Sequence, residues 1–179
     1  MDRQATGRDE GGAAKGQPVS ASLTLQAHLP ASPGAGLSGF AQGARVATMD
    51  GLLPVEYLGL GDRVITRSGA RVLRGISAIP FVTQLVRIAP GALGHDRPGE
   101  ALVLGAATEV LLRDWRAEVM FGRKQALVAV SRLVDGQFVT RLSGVKTRLF
   151  ALHFDAPEVI YADGVEIGCV PMPVVAGRC

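Results

Sequence analysis

The sequence is poor in cysteine, with two in 179 residues, Cys169 and the final residue Cys179. Tetrahedral zinc usually needs four protein ligands, or three and a water, and neither the cysteine spacing nor a neighbouring histidine supplies such a set. Gly34, Gly36 and Gly39 have the G-x-G-x-x-G spacing of a dinucleotide-binding loop, but no amphipathic helix begins after them. We therefore interpret them as part of a linker. We therefore expect no metal ion and no cofactor, and a disulfide between the cysteines is left open.

Long apolar runs and a signal peptide are also missing. No segment approaches the about 20 consecutive apolar residues that a membrane-spanning helix needs. Residues 1–10 mix acidic and basic side chains with glycine and alanine, without the apolar stretch of a signal peptide. These absences predict a cytoplasmic protein that makes no membrane contact, and they leave open secretion by a route without an amino-terminal signal.

Charge is small and dispersed along the chain. The formal net charge is +3, and four arginines between residues 63 and 74 are interrupted by Ser68-Gly69, so they do not form one helical stripe. Such a distribution is typical of a solvated face and does not resemble a nucleic-acid-binding surface. We expect a monomer that binds no nucleic acid, and a protein partner is left open.

What the chain does contain is turns. Aromatic residues make up only 5% of the sequence, whereas glycine occurs 23 times and proline 10 times, and 47% of the residues are hydrophobic. Frequent turns between short runs of Val, Leu and Ile favour short strands over long helices. Asp50-Gly51 and Ser68-Gly69 each separate two such runs, which is typical of tight hairpins. Residues 118–121 continue the strand pattern, and one short helix is predicted over 124–133, before Asp135-Gly136.

The domain organisation follows from these patterns. Residues 1–38 are predicted to be a disordered or loosely packed tail and linker, although apolar and polar residues alternate over 19–29 as in a half-buried strand. Residues 39–173 are predicted to form one all-β domain. Residues 174–179 are predicted to be a carboxy-terminal tail.

Three sequence blocks then occur in a fixed order. The first contains GARVAT at 43–48, VEYL at 55–58 and GDRV at 61–64; the second is VRIAPGALG at 86–94; the third is LHFDAPEVI at 152–160. Together these blocks resemble the bacterial Hint domain, the Hedgehog/intein autoprocessing module, over about the last four-fifths of the chain. The resemblance implies a horseshoe-like all-β fold of short strands with one short helix, and a reaction that begins with an N-to-S acyl shift.

The chain departs from the Hint pattern at the positions that perform this reaction. Gly39 stands where the family has a nucleophilic cysteine before Phe-x-x-Gly, Thr108 where it has the histidine of Ser-Pro-x-His, and Pro157 where the closing block has histidine. An acyl shift needs a nucleophile and a group that protonates the departing amide nitrogen. We therefore expect a degenerate Hint domain that has lost autoprocessing and serves as a structural or interaction module.

The alternative is residual self-cleavage by an N-to-O or N-to-S acyl shift at the linker before Gly39, which would remove about the first 38 residues. Ser38 is the candidate nucleophile, and a plain linker serine is the competing interpretation. His153 and Asp155 are further candidates, because they lie two residues apart in a predicted strand where the carboxylate could orient the imidazole. A structural histidine is the other interpretation of His153. Cys169 and Cys179 could attack a late bond, but the chain end offers no asparagine for cyclisation.

Overall fold

The computed structural model describes residues 37–171, apart from the side chain of Phe81. Within this range the chain forms fourteen strands and one α-helix. The prediction of an all-β fold with one short helix is confirmed. The amino-terminal tail over residues 1–36, the strand predicted over 19–29 and the carboxy-terminal tail over 174–179 lie outside the described residues.

The strands are short, as the frequent turns predict. In chain order they are β1 Phe40–Ala41, β2 Arg45–Thr48, β3 Gly51–Pro54, β4 Arg63–Thr66, β5 Gly69–Val72, β6 Gly75–Val82, β7 Leu85–Ile88, β8 Leu102–Gly105, β9 Glu109–Leu112, β10 Ala126–Ala129, β11 Val139–Leu142, β12 Thr147–His153, β13 Glu158–Ala162 and β14 Val165–Cys169. Residues 55–57 and 130–133 form short 3-10 helices.

The strands build two antiparallel sheets. One has six strands in the order β11-β7-β8-β1-β12-β6, and the other has the order β10-β9-β14-β13-β2-β4-β5 with β3 paired to β2. Both predicted hairpins occur: β2 pairs with β3 across Met49-Asp50, and β4 pairs with β5 across Arg67-Ser68. The two-residue strand β1 lies inside the six-stranded sheet, because Phe40 pairs with Leu104 on one side and Phe150 on the other.

Both faces of the six-stranded sheet near β1 are covered. Phe40 and Phe150 belong to the main hydrophobic core, whereas the next residue on β1, Ala41, packs with Leu85 and Leu149 in a second, smaller cluster. Successive side chains of a strand point to opposite faces, so these two clusters lie on opposite faces of the sheet. Strand β1 is thus held in the packed interior of the domain.

The helix prediction was wrong in position. The helix α1 spans Trp115–Phe121, residues 118–121 are helical instead of extended, and the segment predicted as a helix contains strand β10 and a 3-10 helix. Asp114 caps α1 by accepting the backbone N–H of Arg116, and Gly122 ends it in the left-handed conformation. Residues 126–129 pair with β9 throughout their length, so long-range pairing overrides the helical spacing of their side chains. No helix within residues 37–171 is long and apolar enough to cross a membrane.

Candidate functional site

Gly39 lies directly before β1, where the chain enters the six-stranded sheet. Its carbonyl oxygen accepts the backbone N–H of Gly105 at 2.9 Å, which joins it to the end of β8. The residue is buried, whereas the preceding Ser38 is exposed. The Ser38–Gly39 peptide bond therefore lies at the boundary between the surface and the interior.

The backbone of Gly39 leaves no room for a side chain. Its φ is +148°, a conformation that residues with a Cβ rarely adopt, and an ideal Cβ would lie 2.8 Å from the carbonyl oxygen of Phe150 on β12. That oxygen belongs to a strand paired on both sides, so it cannot move away without disturbing the sheet. Glycine is therefore required by the conformation of the chain at this position.

Thr108 contacts both ends of the Gly39 residue. Its hydroxyl oxygen accepts the Gly39 N–H at 2.9 Å, and its hydroxyl group donates to the Gly39 carbonyl at 3.0 Å. The side chain is 1% exposed. The backbone of Thr108 is fixed in turn, because its N–H donates to Gly105 and its carbonyl accepts from Val130. The structure thus brings together two of the three predicted positions and holds them with complementary hydrogen bonds.

The residues before Gly39 make a further contact that the sequence did not reveal. The carbonyl of Leu37 accepts the backbone N–H of Ala107 at 3.3 Å. A Cβ on Gly105 would overlap this Leu37 oxygen, so glycine at 105 allows the two backbones to approach. The only sequence signal for this was a glycine at the position where the Hint pattern has serine, three residues before Thr108.

Pro157, the third predicted position, lies in the exposed turn between β12 and β13. None of the hydrogen bonds within residues 37–171 joins it to Gly39 or Thr108, and its ring nitrogen has no proton to donate.

Comparison with known proteins identifies the family. The sequence profile described as Hint domain matches residues 38–169, which is most of the chain. The chain belongs to the Hint domain family. No curated protein matches the chain in sequence.

Solved structures agree on the fold. The bacterial intein-like domain from Clostridium thermocellum has 13% identity and a TM-score of 0.52, covering 75% of this chain and 99% of its own. The gp41-1 intein has 9% identity and a TM-score of 0.51, and the MchDnaB-1 intein has 11% identity and a TM-score of 0.51; each match covers 73% of this chain and 98% of the intein. Because the identities are this low, the matches show the fold alone: this Hint domain has the intein fold.

The candidate pair of His153 and Asp155 does not form in the Hint domain. His153 is the last residue of β12, and its Nε2 lies 2.8 Å from the Oγ of Ser77 on β6. Asp155 lies beyond the strand, exposed, where it accepts two hydrogen bonds from Nε of Arg74 at 3.0 and 3.2 Å. The Nδ1 of His153 is buried and has no hydrogen-bond partner among the described residues. Without a carboxylate on Nδ1, this imidazole lacks the third group that orients a catalytic histidine.

Cys169, the last residue of β14, is buried in the main core. Burial, together with the nearby negative charge of Glu158, raises the pKa of its thiol from 9.0 to about 12. A thiolate is the reactive form of cysteine, so this thiol is inert near neutral pH. Cys179 lies outside the described residues.

Within residues 37–171 no group of three or more His, Cys, Asp or Glu side chains is arranged to hold a metal ion.

Proposed function

We propose that this Hint domain does not process itself and acts as a stable structural or interaction module. The observation that carries this proposal is the hydrogen-bonded pair of Gly39 and Thr108, which occupies the positions of the family's nucleophile and histidine. The fold persists around these positions, whereas the groups that react are replaced by groups that stabilise the folded chain.

The first chemical requirement is a nucleophile beside the scissile bond. In the family reaction a thiol at position 39 attacks the carbonyl carbon of residue 38, forms a thioester, and releases the amide nitrogen of its own residue as an amine. Gly39 has no atom that can attack, and its backbone excludes a side chain without a local rearrangement. Removing a nucleophile of this kind typically costs several powers of ten in rate.

The second requirement is an acid for the departing nitrogen. That nitrogen is the backbone N of Gly39, and its N–H donates to the hydroxyl of Thr108. A neutral hydroxyl in this arrangement accepts a hydrogen bond from the Gly39 N–H and donates one to the Gly39 carbonyl, so it stabilises the intact amide and does not protonate its nitrogen. This supports the proposal that the Ser38–Gly39 bond stays intact.

Intact-mass spectrometry of the full chain tests this proposal. We expect a single mass for all 179 residues after long incubation near neutral pH, with or without dithiothreitol or hydroxylamine. Dithiothreitol cleaves a thioester, and hydroxylamine cleaves a thioester or an ester, so the two reagents reveal an acyl shift even if it is reversible. A fragment that begins at Gly39 would show that the Ser38–Gly39 bond is cut and would end the proposal.

Cleavage by Ser38 is the second candidate, and one observation favours it. The carbonyl that Ser38 would attack belongs to Leu37, and this oxygen already accepts the N–H of Ala107 at 3.3 Å. A fixed backbone donor on that oxygen is the kind of contact that stabilises the oxyanion of an acyl transfer. In this reaction the Ser38 hydroxyl forms an ester with Leu37, the Leu37–Ser38 amide bond breaks, and the hydroxyl proton passes to the Ser38 nitrogen.

The same mass measurement separates the two candidates. Cleavage through Ser38 gives a hydroxylamine-dependent fragment that begins at Ser38, and Ser38→Ala abolishes it. We expect no such fragment, because no hydrogen bond within residues 37–171 joins the Ser38 hydroxyl to an imidazole or carboxylate that could take its proton.

A further inference from the structure

A cavity of about 470 Å³ opens on the side of the domain formed by the loop 91–98, the end of β9 and the β13–β14 turn. Neither Gly39 nor Thr108 lines it. Its polar lining consists of His95, Arg97, Arg113, Asp114 and Glu166, and its apolar lining includes Leu93, Leu111 and Val165. Cavities that hold small organic ligands typically measure about 300–1,000 Å³ and combine apolar walls with a few polar groups, as this one does.

The two carboxylates that line this cavity are already paired with arginines. Glu166 is 4% exposed, and it accepts hydrogen bonds from Arg67 at 2.8 Å and from Arg113 at 3.2 Å. Asp114 forms an ion pair with Arg116, so the charges of these two side chains compensate each other.

Among residues 37–171, Arg97 has no carboxylate counterion. Its Nε donates to the Gly94 carbonyl at 3.4 Å, and it makes no ion pair with a carboxylate within residues 37–171. Asp163, in the adjacent turn, is held by Arg45 and does not line the cavity. Of the two arginines that line the cavity, Arg113 shares Glu166 with Arg67, and Arg97 has no carboxylate partner among residues 37–171. Arg97, and in part Arg113, therefore remain available to an anionic group.

The loop that carries Arg97 and His95 is fixed in an unusual conformation. His95 and Asp96 both have positive φ, at 51° and 54°, and the N–H of Arg97 donates to Gly94 across them. Non-glycine residues in this strained conformation concentrate at ligand-binding and active sites. The loop is closed by a hydrogen bond from the Leu93 N–H to the Arg97 carbonyl at 2.9 Å, so the backbone that carries His95 and Arg97 is fixed beside the cavity.

We propose that this cavity binds a small organic anion through Arg97 and Arg113. The ligand carries a carboxylate or a phosphate group, since the planar fork of arginine donates paired hydrogen bonds to either. His95 supplies a further polar contact at the rim, and the apolar wall contacts the body of the ligand. This site goes beyond the proposed function and shares no residue with the Gly39 region, so either inference stands or fails alone.

Titration of the full chain with three matched probes tests the site. Benzoate and phenyl phosphate carry the two anionic groups on the same ring, and benzyl alcohol is their neutral counterpart. We expect at least one anion to shift the backbone amide NMR signals of residues 93–97, 111–114 and 164–166, and to raise the melting temperature at constant ionic strength. Benzyl alcohol is expected to do neither. The anion that binds more tightly identifies the headgroup class.

Variants then assign the interaction to the arginines. Arg97→Gln is expected to weaken anion binding at least about tenfold, because hydrogen bonds between charged groups are lost. Arg113→Gln is a second test of the same kind. Arg148→Gln is the matched control, since it removes one positive charge from an exposed position on β12 that does not line the cavity.

Three results would overturn the proposal. The first is that neither anion shifts the NMR signals of the cavity residues in the wild-type chain. This result does not depend on whether any variant folds. The second is that benzyl alcohol binds as well as the anions. The third is that Arg148→Gln weakens anion binding as much as Arg97→Gln does. Binding would then depend on the net charge of the protein and not on the cavity.

Discussion

Replacement of Gly39 by alanine tests how tightly the fold constrains this position. The new Cβ would lie 2.8 Å from the Phe150 carbonyl oxygen, and the residue would have to keep a φ of +148°. The backbone conformation costs a non-glycine residue about 1–3 kcal/mol. Forcing a carbon against a fixed neighbour costs about 1–3 kcal/mol more. We expect Gly39→Ala to lower the free energy of unfolding by about 2–6 kcal/mol.

Gly43→Ala is the matched control for this prediction. Gly43 also has a positive φ, of +90°, but a Cβ there would meet nothing within 4 Å. Its substitution is expected to cost only the conformational part, about 1–3 kcal/mol. The difference between the two variants therefore isolates the contact with Phe150.

Urea denaturation followed by circular dichroism measures both variants, and thermal melts give a second reading. A domain of this size loses roughly 4 °C of melting temperature per kcal/mol, so Gly39→Ala should melt about 8–24 °C below the wild type. If Gly39→Ala is no less stable than Gly43→Ala, the backbone at residue 39 tolerates a side chain. Position 39 would then be open to a nucleophilic side chain, contrary to our expectation.

Three further predictions follow from the buried groups and the helix cap. Thr108→Val should lower the free energy of unfolding by about 1–3 kcal/mol because it leaves the buried Gly39 N–H unpaired. Thr108→Ser keeps the hydroxyl and should retain most of the wild-type stability. Equal losses for the two variants in urea titrations would contradict this prediction. In a Cys179→Ser background, Cys169 should not react with a thiol reagent at pH 8 until the protein is denatured. The pKa of this thiol is about 12 in the folded protein and 9.0 in the unfolded chain, so its contribution to the free energy of unfolding is complete below pH 9 and is lost as the pH rises toward 12. Cys169→Ala should therefore lose less stability than the wild type over this pH range. An identical pH profile for the two proteins would refute this prediction. Asp114→Ala should cost about 1 kcal/mol through loss of the helix cap, whereas Asp114→Asn, which can still cap, should cost clearly less in the same urea titration.

Much of the secondary structure could be predicted from short segments of the sequence. Glycine-containing turns between short apolar runs located both amino-terminal hairpins, because hairpins depend on residues close in sequence. The same local reasoning misplaced the helix. The apolar spacing over 124–133 is compatible with a helix, but pairing of residues 126–129 with β9 decides their conformation, and each paired residue lies 14 to 20 positions earlier in the chain. The strand interpretation of residues 118–121 missed the cap at Asp114 and the stop at Gly122, which bound the helix in the structure.

By itself, the sequence determined that the chain has the strand and turn pattern of the Hint family and that glycine, threonine and proline stand at positions 39, 108 and 157, because side-chain identity needs no coordinates. Only the tertiary structure decided that Thr108 bonds to Gly39 across 69 residues of sequence, that a Cβ at Gly39 meets Phe150, and that His153 and Asp155 bind different partners. It also decided that Arg97, Arg113 and Glu166 surround one cavity. Each of these contacts joins strands or loops far apart in the chain, and the pairing of strands into sheets, which sets such distances, is not encoded in any single segment.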